Sequence, residues 1–305
     1  MRDVHLISCV GVAHDLPLLP HFLKHYLDLG VLPENIHLII NAAEPTHSGL
    51  SAAEEIAAGH GLRPPRRWIA AYTSNGMWAE RRKTQADVTR VEDWVVSADV
   101  DELHEYPAPL PEIRSYMEKG GFNCAQGVFI DRLAADGALA PVASDPSLFA
   151  QYPVKADVAC TVRQGEDGAY WHGTVKLMLY RATLSPRLGG HRAETEDAEV
   201  RSIYGANLSS FRGMTRAPIR FGVPFRVHHF KWTAALKGAV RQRFETRGAS
   251  EVGSRYGRKL LGFIGDEDHV QLAGVPVMSH DHTSLVPWRL RVAAMRRFST
   301  RITTG

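Results

Sequence analysis

The sequence predicts an α/β protein in which helices cover both faces of a mostly parallel central sheet. Three observations predict this fold class. Short, fully apolar segments alternate with segments of helical periodicity through the first half of the chain. Strands that are apolar on both faces are typical of buried parallel sheets. The 305 residues, 44% of them hydrophobic, suffice for one large domain with a smaller extension.

The strands and helices of the first half follow one another at the spacing of βαβ units. Pro17 lies near the start of the first periodic segment and Gly30 at its end, as is typical of helix boundaries. In an open sheet of this kind, ligands bind at the carboxyl ends of the strands. We predict strands at 4–10, 35–41, 67–72 and 93–100, and helices at 17–30, 51–61 and 77–91.

The second half of the chain is less regular. Segment 135–170 is rich in Gly, Pro, Asp and Ser, which predicts mostly loop. The remaining segments predict a helix at 111–121, strands at 122–134, 175–184 and 225–232, and an interrupted helical region at 233–264. We therefore expect one domain over 1–232, with its two parts dividing between 104 and 105, and a C-terminal helical extension over 233–305.

Composition excludes several classes of protein. The net charge of +3 depends on five arginines in 287–305, a segment without acids, so the body is nearly neutral. A nucleic-acid-binding domain would carry a basic face across its folded part. No segment reaches the roughly 18 consecutive apolar residues of a membrane span, and the start of the chain is too polar for a signal peptide. We expect a cytoplasmic protein, with Cys9, Cys124 and Cys160 as reduced thiols packed in strands.

Three carboxylates follow the fourth predicted strand within four positions: Asp99, Asp101 and Glu102. Aspartates at i and i+2 can face the same hard cation where a strand ends. We expect Asp99 and Asp101 to bind Mn²⁺ or Mg²⁺. The alternative is an acidic turn with solvated charges, but a position at the end of an apolar strand favours the metal.

The segment VHHFKW at 227–232 adds two polar groups. In a strand, His229 and Lys231 point to the same face. A neutral imidazole can take a further coordination position on the metal, and an ammonium group can neutralise a phosphate oxygen. The alternative is a core histidine beside a surface lysine. Together with the aspartate pair, the arrangement favours the metal-site interpretation.

Several motifs spread over most of the chain occur in a particular order. They are ISCVGVAHDLPLLPHFLKHYLDLG, IIN, WVVSADVDEL, VFIDRLAADG, TVKLMLYR, GGH and VHHFKW. In these motifs the chain resembles the nucleotide-sugar glycosyltransferases of GT-A fold, especially their family 2-like and family 92-like branches. The resemblance implies a Rossmann-like catalytic domain over 1–232, with a nucleotide-binding part (1–104) and an acceptor part (105–232).

The resemblance also implies roles for individual residues. Asp99 and Asp101 would hold a metal that bridges the donor diphosphate. Asp131 would be the catalytic base, although an Asp131–Arg132 pair that stabilises a turn is the alternative. His191 would contact the acceptor or a phosphate. Other candidates for the base are Glu102, Glu194, Glu196 and Asp197, and the donor-binding residues would be Val12, Asp15, Asn41, Glu44, Arg81, Gln85 and Lys231.

One position departs from the resemblance. The family pattern commonly has Lys-Asn-Glu after the first strand, whereas this chain has Gly11, Val12, Ala13, His14 and Asp15. The identity of the nucleotide is therefore left open. The resemblance implies inverting transfer, but the His-x-Lys arrangement also occurs in retaining enzymes of this fold.

The expected function is metal-dependent transfer of a sugar from a nucleotide-sugar, UDP-sugar above all, to a glycan, a lipid-linked glycan or another hydroxyl acceptor. Two alternatives remain. A phosphohydrolase or nucleotidyltransferase could use the same aspartates, although the sequence lacks the phosphate-loop motif GxxxxGK[ST]. A sugar-nucleotide-binding protein could keep the fold without the chemistry.

The tail at 286–302 combines an apolar stripe with arginines. Trp288, Val292, Met295 and Ile302 recur at helical spacing. This pattern is typical of a helix on an anionic membrane surface, which would place the protein peripherally at the inner face of the membrane. The alternative is that the stripe packs on the body of the protein while the arginines are solvated.

Overall fold

The computed structural model describes residues 3–163, 173–194, 199–211, 213–245, 251–278 and 285–300. The strands in these residues are β1 (Val4–Gly11), β2 (Ile36–Ala42), β3 (Arg66–Ile69), β4 (Trp94–Ser97), β5 (Glu102–Glu105), β6 (Cys124–Leu133), β7 (Val154–Ala156), β8 (Val175–Arg181), β9 (Ser185–Pro186), β10 (Ala193–Glu194) and β11 (Arg226–His229). The α-helices are α1 (Leu19–Asp28), α2 (Gly49–Gly59), α3 (Ser74–Val88), α4 (Leu110–Lys119), α5 (Leu148–Gln151), α6 (Val158–Val162), α7 (Ala217–Phe221), α8 (Leu236–Glu245), α9 (Glu251–Ile264) and α10 (Trp288–Thr300).

The predicted α/β class is confirmed, with a central sheet flanked by helices in a Rossmann-like arrangement. The strand order is β3-β2-β1-β4-β8-β6-β11-β5, and β7 pairs with β6. The first four strands in this order are parallel to one another. β8 is antiparallel to both of its neighbours, and β5 and β7 are antiparallel to theirs. The sheet is therefore mixed, because an apolar strand buried on both faces can run in either direction.

Strand direction decides which residues meet at the functional edge of the sheet. β6 and β11 run parallel to β4, so the carboxyl ends of these strands lie together. β8 and β5 run the other way, so their first residues lie at that same edge. This edge thus combines strand ends from the parallel half with strand beginnings from the second half of the chain.

Some element boundaries differ from those predicted. β4 ends at Ser97 rather than at 100, and the carboxylate segment bends into β5, a strand that the periodicity did not indicate. Segment 135–170 was expected to be mostly loop, but its described part contains α5, β7 and α6. All three cysteines are buried and unpaired, and Cys160 lies in α6 rather than in a strand.

The C-terminal extension is tied to the body by backbone hydrogen bonds. The amide of Leu139 donates to the carbonyl of Asp268 at 2.8 Å, and the amide of Asp157 to that of Pro276 at 2.9 Å. Side chains from α8 and α9 form an apolar cluster with residues of β6, β7 and α6. Residues 233–278 therefore cover the second half of the sheet.

The tail helix α10 packs on the body of the protein. Val292 is fully buried, and Trp288 and Met295 contact the main core. Arg296 donates to the carbonyl of Ile203 at 3.0 Å and to the hydroxyl of Tyr116 at 2.8 Å. This packing contradicts the membrane-docking interpretation, because the described part of the apolar stripe is already buried; Ile302 lies outside the described residues.

No helix among the described residues is long and apolar enough to cross a membrane.

Gly127 of β6 offers a test of the sheet packing. A Cβ at this position would collide with the Sδ of Met178 on β8 and would lie 2.7 Å from the carbonyl oxygen of Phe225. We expect Gly127→Ala to lower the free energy of unfolding by about 1–3 kcal/mol, because the packed sheet has no room for the methyl group.

The matched control is Gly262→Ala in α9, where a Cβ would meet nothing within 4 Å. This change should raise the free energy of unfolding by up to about 1 kcal/mol through helix propensity. Chemical denaturation of the two variants measures both effects, and equal stability of the two would contradict the packing described for β6.

Candidate active site

The carboxyl edge of the sheet collects charged side chains from five strands or strand ends. In register, His229 of β11 lies opposite Glu102 of β5 on one side and opposite Asp131 of β6 on the other. Asp99 and Asp101 follow β4, and Lys176 is the second residue of β8. The carboxylate segment thus faces both a histidine and a lysine that come from distant parts of the sequence.

Asp99 is held between two cationic side chains. Its Oδ1 accepts a hydrogen bond from Nη2 of Arg81 at 2.6 Å, and its Oδ2 accepts one from Nζ of Lys176 at 3.0 Å. Burial raises the pKa of Asp99, but Lys176 and Arg81 outweigh it and hold this pKa well below its usual range. A divalent ion bound directly to Asp99 would lie beside two positive charges, so these contacts favour other residues as metal ligands.

Lys176 is the site residue that the sequence patterns did not identify. Its side chain is 1% exposed, and Nζ also donates to Glu102 at 2.9 Å. Burial lowers the pKa of Lys176, but Asp99 and Glu102 outweigh it and raise the pKa. A single lysine within the apolar strand VKLMLYR was the available signal, since a fully buried lysine is rare unless it is paired.

Glu102 is buried beside these charges. One of its oxygens accepts the backbone N–H of Asp99 at 2.9 Å, which closes the turn between β4 and β5. Burial, together with the charge of Asp99, raises the pKa of Glu102 to about 7. Glu102 can therefore change its protonation state near neutral pH.

His229 lies between two carboxylates. Its Nδ1 donates to Oδ1 of Asp131 at 3.2 Å, and its Nε2 lies 3.5 Å from Oδ2 of Asp101. Phe129 stacks against the imidazole with a centroid separation of 4.6 Å. A buried carboxylate on one ring nitrogen, with the other nitrogen facing a further ligand, is the usual arrangement around a metal-binding histidine.

Donor atoms of Asp101, Glu102 and His229 all lie within 4.8 Å of one another. Two carboxylates and one imidazole suit Mn²⁺ better than Mg²⁺, which prefers oxygen ligands. Burial lowers the pKa of His229, but Asp101 and Asp131 outweigh it and raise the pKa to about 9. A proton and a metal ion would therefore compete for Nε2, as they do at metal sites in general.

Asp131 is enclosed by the protein. It is fully buried, and it accepts hydrogen bonds from Nε1 of Trp232 at 2.8 Å and from the amide of Ala159 at 2.7 Å, in addition to that of His229. Burial raises the pKa of Asp131, but the hydrogen bond from His229 contributes to holding it below its usual range. A general base must reach the proton that it removes, so these contacts favour a role in orienting His229 over the expected role as base.

Lys231 and His191 lie on either side of this cluster. Nζ of Lys231 donates to the hydroxyl of Tyr256 on α9 at 2.7 Å. Nδ1 of His191 donates to the carbonyl of Val175 at 2.7 Å, and burial, followed by the charge of Lys176, lowers the pKa of His191 to about 3. His191 is therefore neutral at physiological pH.

Two of the predicted donor-binding side chains bind the protein itself. The amide of Asn41 donates to the carbonyls of Trp68 and Ala70, each at 3.0 Å. The amide of Gln85 donates to the carbonyls of Ala182 and Leu184. These contacts favour a structural role for both amides, which join neighbouring strands and loops.

The other predicted residues lie as follows. Val12 is buried and its amide donates to the carbonyl of Asn41, while Asp15 accepts the amide of Gly11 at 2.8 Å. Glu44 is exposed on the loop after β2. Glu194 ends β10, and Glu196 and Asp197 lie outside the described residues. Arg81 contacts the candidate site through Asp99, as described above.

Comparison with known proteins gives no family. No protein-family model matches the chain, and no curated protein matches it. Among solved structures, part of the chain is similar to UDP-glucose pyrophosphorylase complexed with UDP-glucose, with 13% identity over 46% of this chain and 60% of that one and a TM-score of 0.24. Mannose-1-phosphate geranyltransferase from Thermus thermophilus gives 12%, 45%, 44% and 0.26 in the same order. The chain spans less than two thirds of either protein, and no function is inferred from these similarities.

Replacing Lys176 by methionine tests the buried charge cluster. The change keeps the length of the side chain but leaves Asp99 and Glu102 without their shared ammonium group. Removing one partner of a buried ion pair costs about 3–5 kcal/mol, so we expect a loss of stability of this order in chemical denaturation.

Lys24→Met is the matched control, because Lys24 pairs with Asp28 at 2.7 Å but both side chains are more than half exposed, at 72% and 64%. Exposed pairs contribute about 0–1 kcal/mol. If the two variants lose similar amounts of stability, the pairing of Lys176 described here is wrong.

Proposed function

We propose that the chain is a metal-dependent glycosyltransferase that moves a sugar from a nucleotide-sugar, UDP-sugar above all, to a hydroxyl group of a glycan acceptor. The observation that supports this most directly is the pair formed by Asp101 and His229. Nε2 of His229 faces the carboxylate of Asp101, while the buried Asp131 fixes the opposite nitrogen. This pair lies where ligands of Rossmann-like sheets bind.

The donor set fits a divalent ion. Asp101, His229 and Glu102 would hold Mn²⁺ or Mg²⁺, and the ion would supply positive charge to the diphosphate of the donor. Asp99 is proposed to act differently from the expectation, because Arg81 and Lys176 already occupy both of its oxygens. Its role would be to hold these cations beside the diphosphate site.

The charged side chains around this pair suit a leaving group that carries negative charge. Lys231 is on the same face as His229, and its ammonium group also lies 4.9 Å from the ring centre of Trp232, which limits its movement. Fixed positive groups aimed at a developing negative charge are usually the largest contribution to catalysis of such transfers. We propose that Lys231 binds the diphosphate and thereby stabilises its departure.

The neutral side chains define the other side of the proposed site. His191 donates from Nδ1 to the backbone, which leaves Nε2 as a hydrogen-bond acceptor. Its ring meets the edge of Phe129, whose other contact is His229. We propose that His191 orients the acceptor hydroxyl group.

The first test compares two aspartates of the same motif. Asp101→Asn should abolish Mn²⁺-dependent binding of UDP and the release of UDP from UDP-sugars, because the metal loses a charged ligand. Asp99→Asn should retain Mn²⁺-dependent UDP binding but lower stability, since Arg81 and Lys176 lose their partner. Calorimetric titration with UDP, with and without EDTA, and an assay of free UDP give the measurements.

Asp28→Asn, an exposed change on α1, serves as the control for both variants. UDP binding that is indifferent to EDTA and to Asp101→Asn would rule out the proposed metal site. Release of pyrophosphate from UTP and a sugar phosphate would instead identify a nucleotidyltransferase, and UDP-sugar binding without turnover on any acceptor would indicate a binding protein.

The second test separates the two roles considered for Asp131. If Asp131 orients His229, Asp131→Asn should weaken the Mn²⁺ dependence of UDP binding by about 10–100-fold, the usual effect of removing such an orienting carboxylate. If Asp131 were the base, Mn²⁺ dependence would be unchanged and only turnover would fall, by about 10²–10⁴-fold.

Glu105→Gln gives the control, because Glu105 pairs with His228, the neighbour of His229 that faces away from the site. Its Mn²⁺ dependence should equal that of the wild type. Unchanged Mn²⁺ dependence in Asp131→Asn would return this residue to the role of base.

A further inference from the structure

A second group of metal-binding side chains lies at the opposite edge of the sheet. His5 is in β1, Asp3 directly precedes this strand, and Asp93 directly precedes β4. β1 and β4 are parallel neighbours, and the amide of Trp94 donates to the carbonyl of Asp3 at 2.9 Å. The three side chains therefore meet at the amino ends of the strands, whereas the candidate active site lies at the carboxyl ends.

The three side chains are close enough to share one ion. One donor atom from each of Asp3, His5 and Asp93 lies within 4.8 Å of the others, and Nε2 of His5 is 3.5 Å from Oδ2 of Asp93. The side chains of His5 and Asp93 are only 8% and 4% exposed, while Asp3 is half-buried. Two carboxylates and an imidazole that are largely removed from water are stabilised by a cation between them.

His37 orients the imidazole of His5. Its Nε2 lies 3.1 Å from Nδ1 of His5, and the two rings are nearly parallel. When Nδ1 of His5 donates to His37, the lone pair of Nε2 faces the carboxylate of Asp93. Burial lowers the pKa of His5 and, more strongly, that of His37, to about 4, so both rings are neutral at physiological pH and competent as ligands.

Asp93 is fixed by the backbone. One of its oxygens accepts the amide of Asp3 at 3.1 Å, and the other accepts the amide of Arg90 at 2.8 Å. These hydrogen bonds hold the carboxylate in place and leave each oxygen a second lone pair. The group thus has a rigid oxygen donor, a rigid nitrogen donor and, in Asp3, a third donor open to solvent on one side.

We propose that Asp3, His5 and Asp93 form a binding site for a divalent transition metal such as Zn²⁺, with His37 orienting His5 from behind. The imidazole selects Zn²⁺ over Mg²⁺, which prefers oxygen ligands alone. The bound ion joins the amino ends of β1 and β4 to the segment that precedes β1. This site is independent of the proposed function and serves to stabilise the sheet.

The test uses full-length protein from which any affinity tag has been removed, because a histidine tag would itself bind Zn²⁺. The double variant Asp101→Asn/His229→Gln removes the candidate active-site ligands. We expect equilibrium dialysis followed by elemental analysis to give one Zn²⁺ per chain in this background, and thermal unfolding to shift upward with Zn²⁺ but not with Mg²⁺ at the same concentration.

Three changes in the same background identify the ligands. Adding His5→Gln or Asp3→Asn should remove the Zn²⁺ or weaken its binding at least 100-fold. Adding His37→Gln should weaken binding by about 10–100-fold while keeping the stoichiometry, as expected for a residue that only orients a ligand. His21→Gln, at an exposed histidine that contacts the carbonyl of Ala143, should have no effect.

Asp3→Asn keeps the test decisive if His5→Gln does not fold, since the half-buried Asp3 can lose its charge without leaving a gap. Far-ultraviolet circular dichroism of each variant without metal verifies folding. Absence of Zn²⁺ from the background protein, or Zn²⁺ binding that survives Asp3→Asn unchanged, would overturn the proposal. In that case Asp93, His5 and His37 form a chain of hydrogen bonds and no metal site.

Discussion

The ion pairs around Asp99 are the constraint on which the arrangement of the site depends. Asp99 and Glu102 are brought to the end of β4 by an apolar strand, and both are shielded from water. Buried carboxylates without partners would cost several kcal/mol each. Lys176 and Arg81 compensate this cost, and in doing so they fix β8 and α3 against the segment that joins β4 to β5.

The mixed direction of the sheet makes these pairs geometrically feasible. A parallel strand would present its last residues at the carboxyl edge, but β8 runs the other way and presents Lys176 near its beginning. β5 likewise presents Glu102 as its first residue, directly opposite His229. The second half of the chain thus supplies counter-charges to a carboxylate segment that belongs to the first half.

The two edges of the sheet differ in chemistry although they use the same residue types. At the carboxyl edge, His229 lies between Asp101 and Asp131, and the two acids raise its pKa. At the amino edge, His5 lies beside Asp93, but burial is the larger influence and its pKa is lowered. The balance between burial and nearby charge therefore decides whether a histidine beside a carboxylate holds a proton.

The sequence by itself determined the α/β class and the positions of the first four strands, because burial on both faces and helical periodicity are local properties. It also placed Asp99 and Asp101 at a strand end and put His229 on the same face as Lys231. Only the tertiary structure showed that Lys176 pairs with Asp99, that Asp131 is enclosed behind His229, and that the stripe of α10 packs on the core. These features depend on strand order and direction, which are set by contacts between distant segments and leave no periodic trace in the chain.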